Sequence, residues 1–216
     1  MHIVVLGSNI LKEELLSSAH NNIQVEWIND INDFKTHSEA DAFIDLEFEL
    51  DSARVEILKS LLPKPVIVNS VIKTISEINL PLVRINAWPT FLQRKIMEAS
   101  CNDPERRIIT EEVFFALQKK IKWIPDIPGF ISSRVVVMII NEAYFALGDN
   151  VSTKEEIDIA MKLGANYLYG PFEWKEKIGL KNIYELLNEL SKMNIRYKAA
   201  PQLKVEALNY VADFKH

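Results

Sequence analysis

The chain has 216 residues, 48% of them hydrophobic, and a formal net charge of −5 at pH 7. This length allows one large domain or two modest ones, with enough apolar residues for buried cores. The negative charge argues against a nucleic-acid partner or an anionic membrane surface, since both favour clustered Lys and Arg. The single cysteine, Cys101, excludes an internal disulfide and fits a reducing cytosol. No stretch reaches the roughly 18 apolar residues of a membrane span, so we expect a soluble cytoplasmic protein.

In the first half of the chain, short β-rich runs alternate with helical patterns. Strands are predicted at residues 3–6, 23–28, 41–46, 65–68, 82–85 and 121–124, and helices at 9–20, 52–62 and 103–120. Asp103 and Pro104 make a good start for the last of these helices, as N-cap and first-turn residues. Strands that alternate with helices imply βαβ crossovers and a mostly parallel sheet. Residues 1–124 are therefore predicted to form a small doubly wound α/β domain.

The β signal disappears after residues 125–129, where two prolines mark a hinge. The rest of the chain predicts an all-α domain over residues 125–216, with helices at 131–147, 153–163, 173–193 and 201–214. Gly148 is the predicted C-cap of the first helix, and Ser152 to Glu155 form a predicted capping box for the second. A break is expected near Gly179.

The helix predicted at residues 131–147 is apolar on nearly every side. Too few apolar residues precede its first charges for a membrane span. A helix that is apolar all round must be covered on all sides. We therefore expect a second subunit or the neighbouring domain to cover it.

Residues 126–180 resemble a known family. A helix start reads Pro-Gly-Phe-Ile at 128–131 and is followed by Ser133 and Arg134, and a later turn reads Gly-Pro-Phe-Glu at 170–173. This order resembles the C-terminal helical domain of the 3-hydroxyacyl-CoA dehydrogenase family, whose members carry the patterns PGF-I-x-N-R and M-x-x-G-x-x-x-x-x-GPFE.

The resemblance extends more weakly into the first half of the chain. Residues 41–46 are similar to the family's A-D-x-V-I-E-A strand, and residues 75–78 to its I-T/S-E-I segment. Together the matches span about residues 41–201. The resemblance implies a Rossmann-like, NAD-binding domain followed by an all-α domain that forms a homodimer, and an acyl-CoA-type ligand.

The resemblance also implies three catalytic positions. The family uses a histidine as acid and base on the substrate's 3-hydroxyl, oriented by a glutamate twelve residues later. Glu98 matches this glutamate, which places Asn86 at the histidine. An asparagine amide forms hydrogen bonds but cannot shuttle a proton. Ser133 stands at the asparagine of the PGF-I-x-N-R pattern. The histidines of this chain lie elsewhere, at positions 2, 20, 37 and 216.

The implied NAD site departs from the usual fingerprint, which needs glycines where the backbone approaches the pyrophosphate. Of these glycines only Gly7 remains, and Ile10 and Lys12 bring side chains to places normally kept bare. Asp30 is at a plausible distance to hold the adenine ribose. The resemblance places Asp45 at the glutamate of the A-D-x-V-I-E-A strand. It makes Ser70 the hydroxyl nearest to the family's serine after the next strand.

Three functional hypotheses remain open. The first is an oxidoreductase that interconverts 3-hydroxyacyl-CoA and 3-oxoacyl-CoA with NAD, with activity reduced or lost. Loss of general acid–base help costs roughly 10²–10⁴-fold in rate. The second is a dimeric binding or scaffold protein without turnover. The third is a changed substrate, with Asn86, Glu98 and Ser133 still lining the cleft. No metal site is predicted.

Overall fold

A computed structural model describes residues 1–16 and 23–213. His20, at the end of one expected helix, lies outside the described residues, as do Phe214 and His216. The chain divides into two compact units, Met1–Phe130 and Ile131–His216. This division falls after Phe130, whereas the sequence suggested a boundary after Ile124. The hinge belongs to the first unit because the Gly129 N–H donates to the Val71 carbonyl over 2.7 Å.

The first unit is built on a seven-stranded sheet within its described residues. The strands are β1 (His2–Leu6), β2 (Gln24–Ile28), β3 (Ala42–Asp45), β4 (Val66–Asn69), β5 (Val83–Ile85), β6 (Ile96–Ser100) and β7 (Lys120–Trp123). Their order is β2-β1-β3-β4-β5-β6-β7, and neighbours are parallel except for β5 and β6. The predicted mostly parallel, doubly wound sheet is confirmed. Strand β6 was not predicted.

Helices cover the sheet on both faces. They are α1 (Asn9–Leu16), α2 (Ser52–Ser60), α3 (Ile75–Ile78) and α4 (Pro104–Ala116), with a 3₁₀ helix at Ile31–Thr36. Alternate strand residues feed two apolar clusters, with Val5 and Ile44 in one and Leu6 and Phe43 in the other. Such double-sided burial is expected of a parallel sheet. Helix α4 ends earlier than predicted because the chain turns at Gln118, whose φ is 60°.

The strand order creates a switch point at the carboxyl ends of β1 and β3. From β1 the chain moves to β2 on one side, and then crosses back to β3 on the other. In open α/β sheets ligands bind outside the carboxyl ends of the strands at such a point. Gly7, directly after β1, and Asp45, the last residue of β3, both lie there.

The second unit is all-α in its described residues, as predicted. Its helices are α5 (Ser132–Gly148), α6 (Lys154–Ala165), α7 (Pro171–Ile178), α8 (Leu180–Met193) and α9 (Pro201–Asp213), with a 3₁₀ turn at Ile195–Tyr197. The predicted break lies at Gly179, whose φ of 88° favours glycine.

Two helix ends in the second unit differ from the prediction. Gly148 is the last residue of α5, and Asp149 is the C-cap. The chain reverses at Asn150, which adopts a left-handed φ of 56°. The capping box of α6 uses Thr153 and Glu156, one residue later than expected. None of the helices in the described part of the chain is long and apolar enough to cross a membrane.

Candidate functional site

Asn86 and Glu98 are brought together by the antiparallel pairing of β5 and β6. Ile85 pairs with Ala99. Asn86, which follows Ile85, therefore faces Glu98, which precedes Ala99. The Asn86 N–H donates to the Glu98 carbonyl over 3.0 Å. The Asn86 side-chain Nδ2 donates to Glu98 Oε2, also over 3.0 Å. Two of the three catalytic positions implied by the resemblance are therefore directly hydrogen-bonded.

The Asn86 amide is enclosed and only half satisfied. The residue is 2% exposed, and its Oδ1 has no hydrogen-bond partner in the described part of the chain. Because a carboxylate only accepts hydrogen bonds, Glu98 requires the NH₂ group of Asn86 to face it. Oδ1 is therefore a buried acceptor without a donor, which is rare in folded proteins.

The backbone next to Asn86 is held by Asn69, at the end of β4. Asn69 Oδ1 accepts from the Ala87 N–H over 3.0 Å, and Asn69 Nδ2 donates to the Leu46 and Ala87 carbonyls over 3.0 and 3.3 Å. One amide thus ties together the carboxyl ends of β3, β4 and β5. The position of Asn86 is fixed on both sides, by β6 and by Asn69.

This pair can hold and orient a polar group, but residue 86 itself has no group that exchanges protons. Asparagine has no titratable group, and histidine is the side chain that titrates there without strong perturbation. The described histidines, His2 and His37, contact Glu26 on β2. The arrangement therefore offers hydrogen bonding without proton transfer through residue 86.

The loop after Asn86 contains a second orphaned group that sequence reasoning missed. Thr90 is buried and has a φ of 78°, a conformation unusual for a β-branched residue. Its N–H donates to the Glu14 carboxylate of α1 over 2.8 and 3.1 Å. Its hydroxyl has no partner among the described residues. No sequence pattern predicts the contact between Thr90 and Glu14.

Ser133, the third catalytic candidate, lies in the first turn of α5 in the second unit. Its side chain is fully buried. Its Oγ meets no hydrogen-bond partner in residues 1–16 and 23–213. Polar atoms that are buried without partners recur at Asn86 and Ser133. Both residues were selected as candidates from the family resemblance, without knowledge of their burial.

Gly7 is kept bare by packing. A Cβ built on Gly7 would lie 3.1 Å from Leu46 Cδ1 and 3.4 Å from Trp27 Cζ3. The distance to Leu46 is shorter than most Cβ contacts, so packing against Leu46 favours glycine here without any ligand. Ile10, in the first turn of α1, is 65% exposed.

Asp30 caps the 3₁₀ helix that follows β2. Its Oδ1 accepts from the Asn32 backbone N–H over 2.8 Å and from Asn32 Nδ2 over 2.9 Å. These two bonds lower the pKa of the Asp30 carboxyl. The side chain lies at the surface, and both bonds use the same oxygen. Among the four cofactor candidates, Asp30 alone has an accessible carboxylate.

Asp45 is committed to a buried ion pair with Arg54 of α2. Asp45 is 0% exposed, and Arg54 donates to both of its oxygens over 2.7 Å. Burial raises the pKa of the Asp45 carboxyl, while the bidentate contact with Arg54 favours its charged form. Sequence reasoning missed Arg54, because nothing in the chain places α2 against the end of β3.

Ser70 is also engaged within the first unit. Its Oγ donates to the Lys73 carbonyl over 2.8 Å, and its own carbonyl accepts from Arg84 Nε over 2.9 Å. Arg84 is fully buried and pairs with Asp126 in the hinge. The sequence carried a signal for Arg84, a charged residue inside the apolar run Leu-Val-Arg-Ile, but it was not recognised as a buried ion pair.

These residues do not fit the usual contact set of a bound dinucleotide. The Asp45 carboxylate accepts hydrogen bonds from Arg54, and the Ser70 hydroxyl donates to the Lys73 carbonyl. The glycine that remains is explained by packing. Asp30 is available, but one carboxylate does not make a cofactor site.

Comparisons with known proteins identify what the chain is similar to. Residues 129–210 match the family model "3-hydroxyacyl-CoA dehydrogenase, C-terminal domain". The 3-hydroxyadipyl-CoA dehydrogenase of Escherichia coli is 39% identical over 104 residues, which cover 46% of this chain and 22% of that protein. The 3-hydroxybutyryl-CoA dehydrogenase of Clostridioides difficile is 41% identical over 86 residues, covering 38% and 31%. The match thus spans less than a third of these relatives' length.

A solved structure supports the fold over nearly the whole chain. The (S)-3-hydroxybutyryl-CoA dehydrogenase from Ralstonia eutropha superimposes with a TM-score of 0.73 and 17% identity, covering 94% of this chain and 92% of that one. At this identity the likeness concerns the fold alone. The α/β unit followed by a helical unit is therefore an architecture shared with that enzyme.

Proposed function

We propose that this chain, whose residues 129–210 match the C-terminal domain of the 3-hydroxyacyl-CoA dehydrogenase family, is a member of that family that binds acyl-CoA thioesters while its dehydrogenase activity is reduced or lost. The family is NAD-dependent and acts on 3-hydroxyacyl-CoA. The proposed ligand class follows from membership. The proposed loss follows from the residues at the site.

The contact between Asn86 and Glu98 carries the proposal. Their side chains are joined over 3.0 Å, as the resemblance expects of the residues at these positions. The residue that should exchange a proton with the 3-hydroxyl is nevertheless an amide, which neither takes up nor releases a proton near neutral pH. Loss of general acid–base help of this kind lowers a rate by roughly 10²–10⁴-fold.

A dimeric binding or scaffold protein without turnover is the second candidate. It is favoured by the internal bonds of Asp45 and Ser70, which leave little of an NAD site. The two candidates differ in what they demand of the cofactor. A slow dehydrogenase must still bind NAD, whereas a binding protein needs only the thioester.

Calorimetric titration with NADH and with butyryl-CoA, followed by NADH oxidation with acetoacetyl-CoA in the same sample, tests the proposal. We expect thioester binding with little or no turnover. Turnover within about tenfold of an ordinary family member would refute the loss of activity. Tight NADH binding without turnover would favour a changed substrate. If neither ligand binds, the result would support a scaffold protein without turnover.

We further propose that the protein forms a homodimer through α5 and the helical unit. Val135 and Phe145 of α5 and its N-cap Ile131 are exposed apolar residues on one side of the helix, where Glu142 is also exposed, and such a face favours packing against another helix. The proposed setting is the cytoplasm, which suits the single, buried and unpaired Cys101.

The dimer is tested by placing a charge on this face. Val135→Glu should shift the molecular mass measured by light scattering from dimer to monomer, because a buried, unpaired carboxylate opposes association. Val151→Glu is the matched control, since Val151 is also exposed but follows α5 in the chain. A monomeric wild-type protein, or dissociation by both variants alike, would contradict the proposal.

A further inference from the structure

We infer that Asn86 makes the site selective for one oxidation state of its ligand: it accepts a 3-hydroxyacyl group and rejects a 3-oxoacyl group. The inference rests on the proposed function, which makes CoA thioesters the ligands. In this inference residue 86 selects the ligand by a hydrogen bond and does not transfer a proton.

The first step is the orientation of the amide. Nδ2 of Asn86 donates to Glu98 Oε2 over 3.0 Å. Turned by half a rotation, the amide would set Oδ1 against the carboxylate, and two acceptors cannot form a hydrogen bond. Glu98 therefore fixes which end of the amide remains for a ligand. That end is the oxygen.

The second step is the rigidity of the backbone that carries the amide. The Asn86 N–H is bonded to the Glu98 carbonyl. The next residue, Ala87, both donates to and accepts from the side chain of Asn69. The main chain is thus held on both sides of Asn86. Moving Oδ1 away from the ligand would require these bonds to break together.

The third step is the missing partner. Oδ1 is enclosed in a residue that is 2% exposed, and it meets no donor in the described part of the chain. A ligand that completes this site must bring a hydroxyl or N–H group. A 3-hydroxyl donates to Oδ1, whereas a 3-oxo group brings a second acceptor. A buried 3-oxo oxygen set against Oδ1 has no donor, and this weakens binding by about tenfold or more relative to a ligand that donates to Oδ1.

Three thioesters of equal chain length test this inference by calorimetry without added cofactor: 3-hydroxybutyryl-CoA, acetoacetyl-CoA and butyryl-CoA. Butyryl-CoA lacks the oxygen and reports the affinity for the common part of the ligand. We expect 3-hydroxybutyryl-CoA to bind at least about tenfold more tightly than acetoacetyl-CoA. It should also bind more tightly than butyryl-CoA, which leaves Oδ1 unpaired.

Glu98→Gln tests the fixed orientation. A glutamine at this position can donate to Oδ1 as well as accept from Nδ2, so the Asn86 amide is free to turn. The preference for the hydroxy ligand over the oxo ligand should fall to within about threefold, since either amide orientation is then satisfied. Glu112→Gln makes the same chemical change at an exposed residue of α4 and should keep the full preference.

Asn86→Leu removes both polar atoms at similar volume. It should retain butyryl-CoA binding and lose the preference between the other two thioesters. A thermal unfolding midpoint measured for each variant separates loss of fold from loss of preference. If Asn86→Leu unfolds, Glu98→Gln decides.

The outcomes separate the inference from the function it rests on. If the wild type binds none of the three thioesters, both fall. If it binds all three equally, the acyl-CoA ligand class stands and the selectivity is wrong. A preference that survives unchanged in Glu98→Gln or in Asn86→Leu would also overturn it, because the selectivity would then come from elsewhere.

Discussion

The turns of the helical unit and the carboxyl edge of the sheet differ in what their signature residues do. In the helical unit, Gly170 leaves room for Asp158, whose carboxylate accepts from the N–H groups of Phe172 and Glu173 over 2.8 and 3.1 Å. The signature glycine of this turn therefore serves the backbone structure of the helical unit. At the sheet edge, a candidate ligand-binding residue such as Asp45 bonds within the protein.

The contrast separates two kinds of evidence that a sequence match combines. A glycine retained because a neighbour occupies the space of its Cβ reports on the fold. Asn86, at the position where the resemblance places a histidine, bears instead on the reaction. The family model matches residues of the helical unit, whereas the candidate residues Asn86 and Glu98 lie in the other unit. The match of residues 129–210 to the family's C-terminal domain is therefore firm here, while the activity has to be argued from residues.

The largest expected effect tests whether Asp45 has become structural. Arg54→Ala leaves a fully buried carboxylate without its partner. It should lower the free energy of unfolding by about 3–5 kcal/mol in urea denaturation. Lys59→Ala on the same helix is the control, because Lys59 is 59% exposed and pairs with Glu56 over 3.5 Å. That change should stay within about 0.5 kcal/mol. Equal effects of the two would show that Asp45 does not depend on Arg54.

A second test concerns the glycines of the helical unit. A Cβ on Gly170 would lie 2.3 Å from the Asp158 carboxyl, so Gly170→Ala should displace the group that caps α7. We expect a loss of about 1–3 kcal/mol in the free energy of unfolding. Gly164→Ala is matched, because nothing lies within 4 Å of its Cβ position in α6. It should be neutral or stabilising by up to about 1 kcal/mol. A tolerated Gly170→Ala would undo the contrast between fold and function.

The smallest expected effect concerns the ionisable groups His37 and Glu26 of the first unit, where Glu26 lies on β2. His37 Nδ1 lies 2.7 Å from the Asp33 carbonyl and its Nε2 lies 2.9 Å from Glu26. Both are acceptors, which favours the protonated ring. The Asp33 carbonyl and then Glu26 raise the pKa of His37 above 6.5. His37, followed by His2, lowers the pKa of Glu26 below 4.5.

The signs of these shifts define a pH window. A raised histidine pKa stabilises the fold below pH 6.5 and ceases to do so as the pH rises through the folded-state pKa. A lowered glutamate pKa stabilises it above pH 4.5 and is lost as the pH falls through the folded-state pKa. The thermal midpoint should therefore decline slightly between about pH 6 and about pH 8, and His37→Gln should flatten that decline. An unchanged profile in His37→Gln would argue against a cationic His37.

The sequence predicted the fold where local pattern and tertiary structure agree. Short β-rich runs that alternate with helical patterns predicted the parallel strands, and Gly179 predicted the break between α7 and α8. Where two neighbouring patterns were equally good, the prediction slipped. Ser152 and Thr153 are each followed three residues later by a glutamate, and only the second pair forms the cap of α6.

The candidate site was predictable in part. Position counting from the resemblance paired Asn86 with Glu98, and the two are hydrogen-bonded. The partners of the buried charges were not predictable. Arg54 meets Asp45, and Arg84 meets Asp126, through tertiary packing between distant elements. Strand β6 escaped prediction because its residues, Ile-Met-Glu-Ala-Ser, do not form a continuous apolar run, and it pairs antiparallel in an otherwise parallel sheet.

The central claim is that the site can hold a 3-hydroxyacyl ligand but cannot accept its proton. NAD reduction with 3-hydroxybutyryl-CoA, run beside the 3-hydroxybutyryl-CoA dehydrogenase of Clostridioides difficile, tests it most directly, because the ligand is the one that Asn86 should bind. We predict kcat at least about a hundredfold below that of the relative, the lower end of the cost of losing general acid–base help. A kcat within about tenfold of the relative would contradict the account.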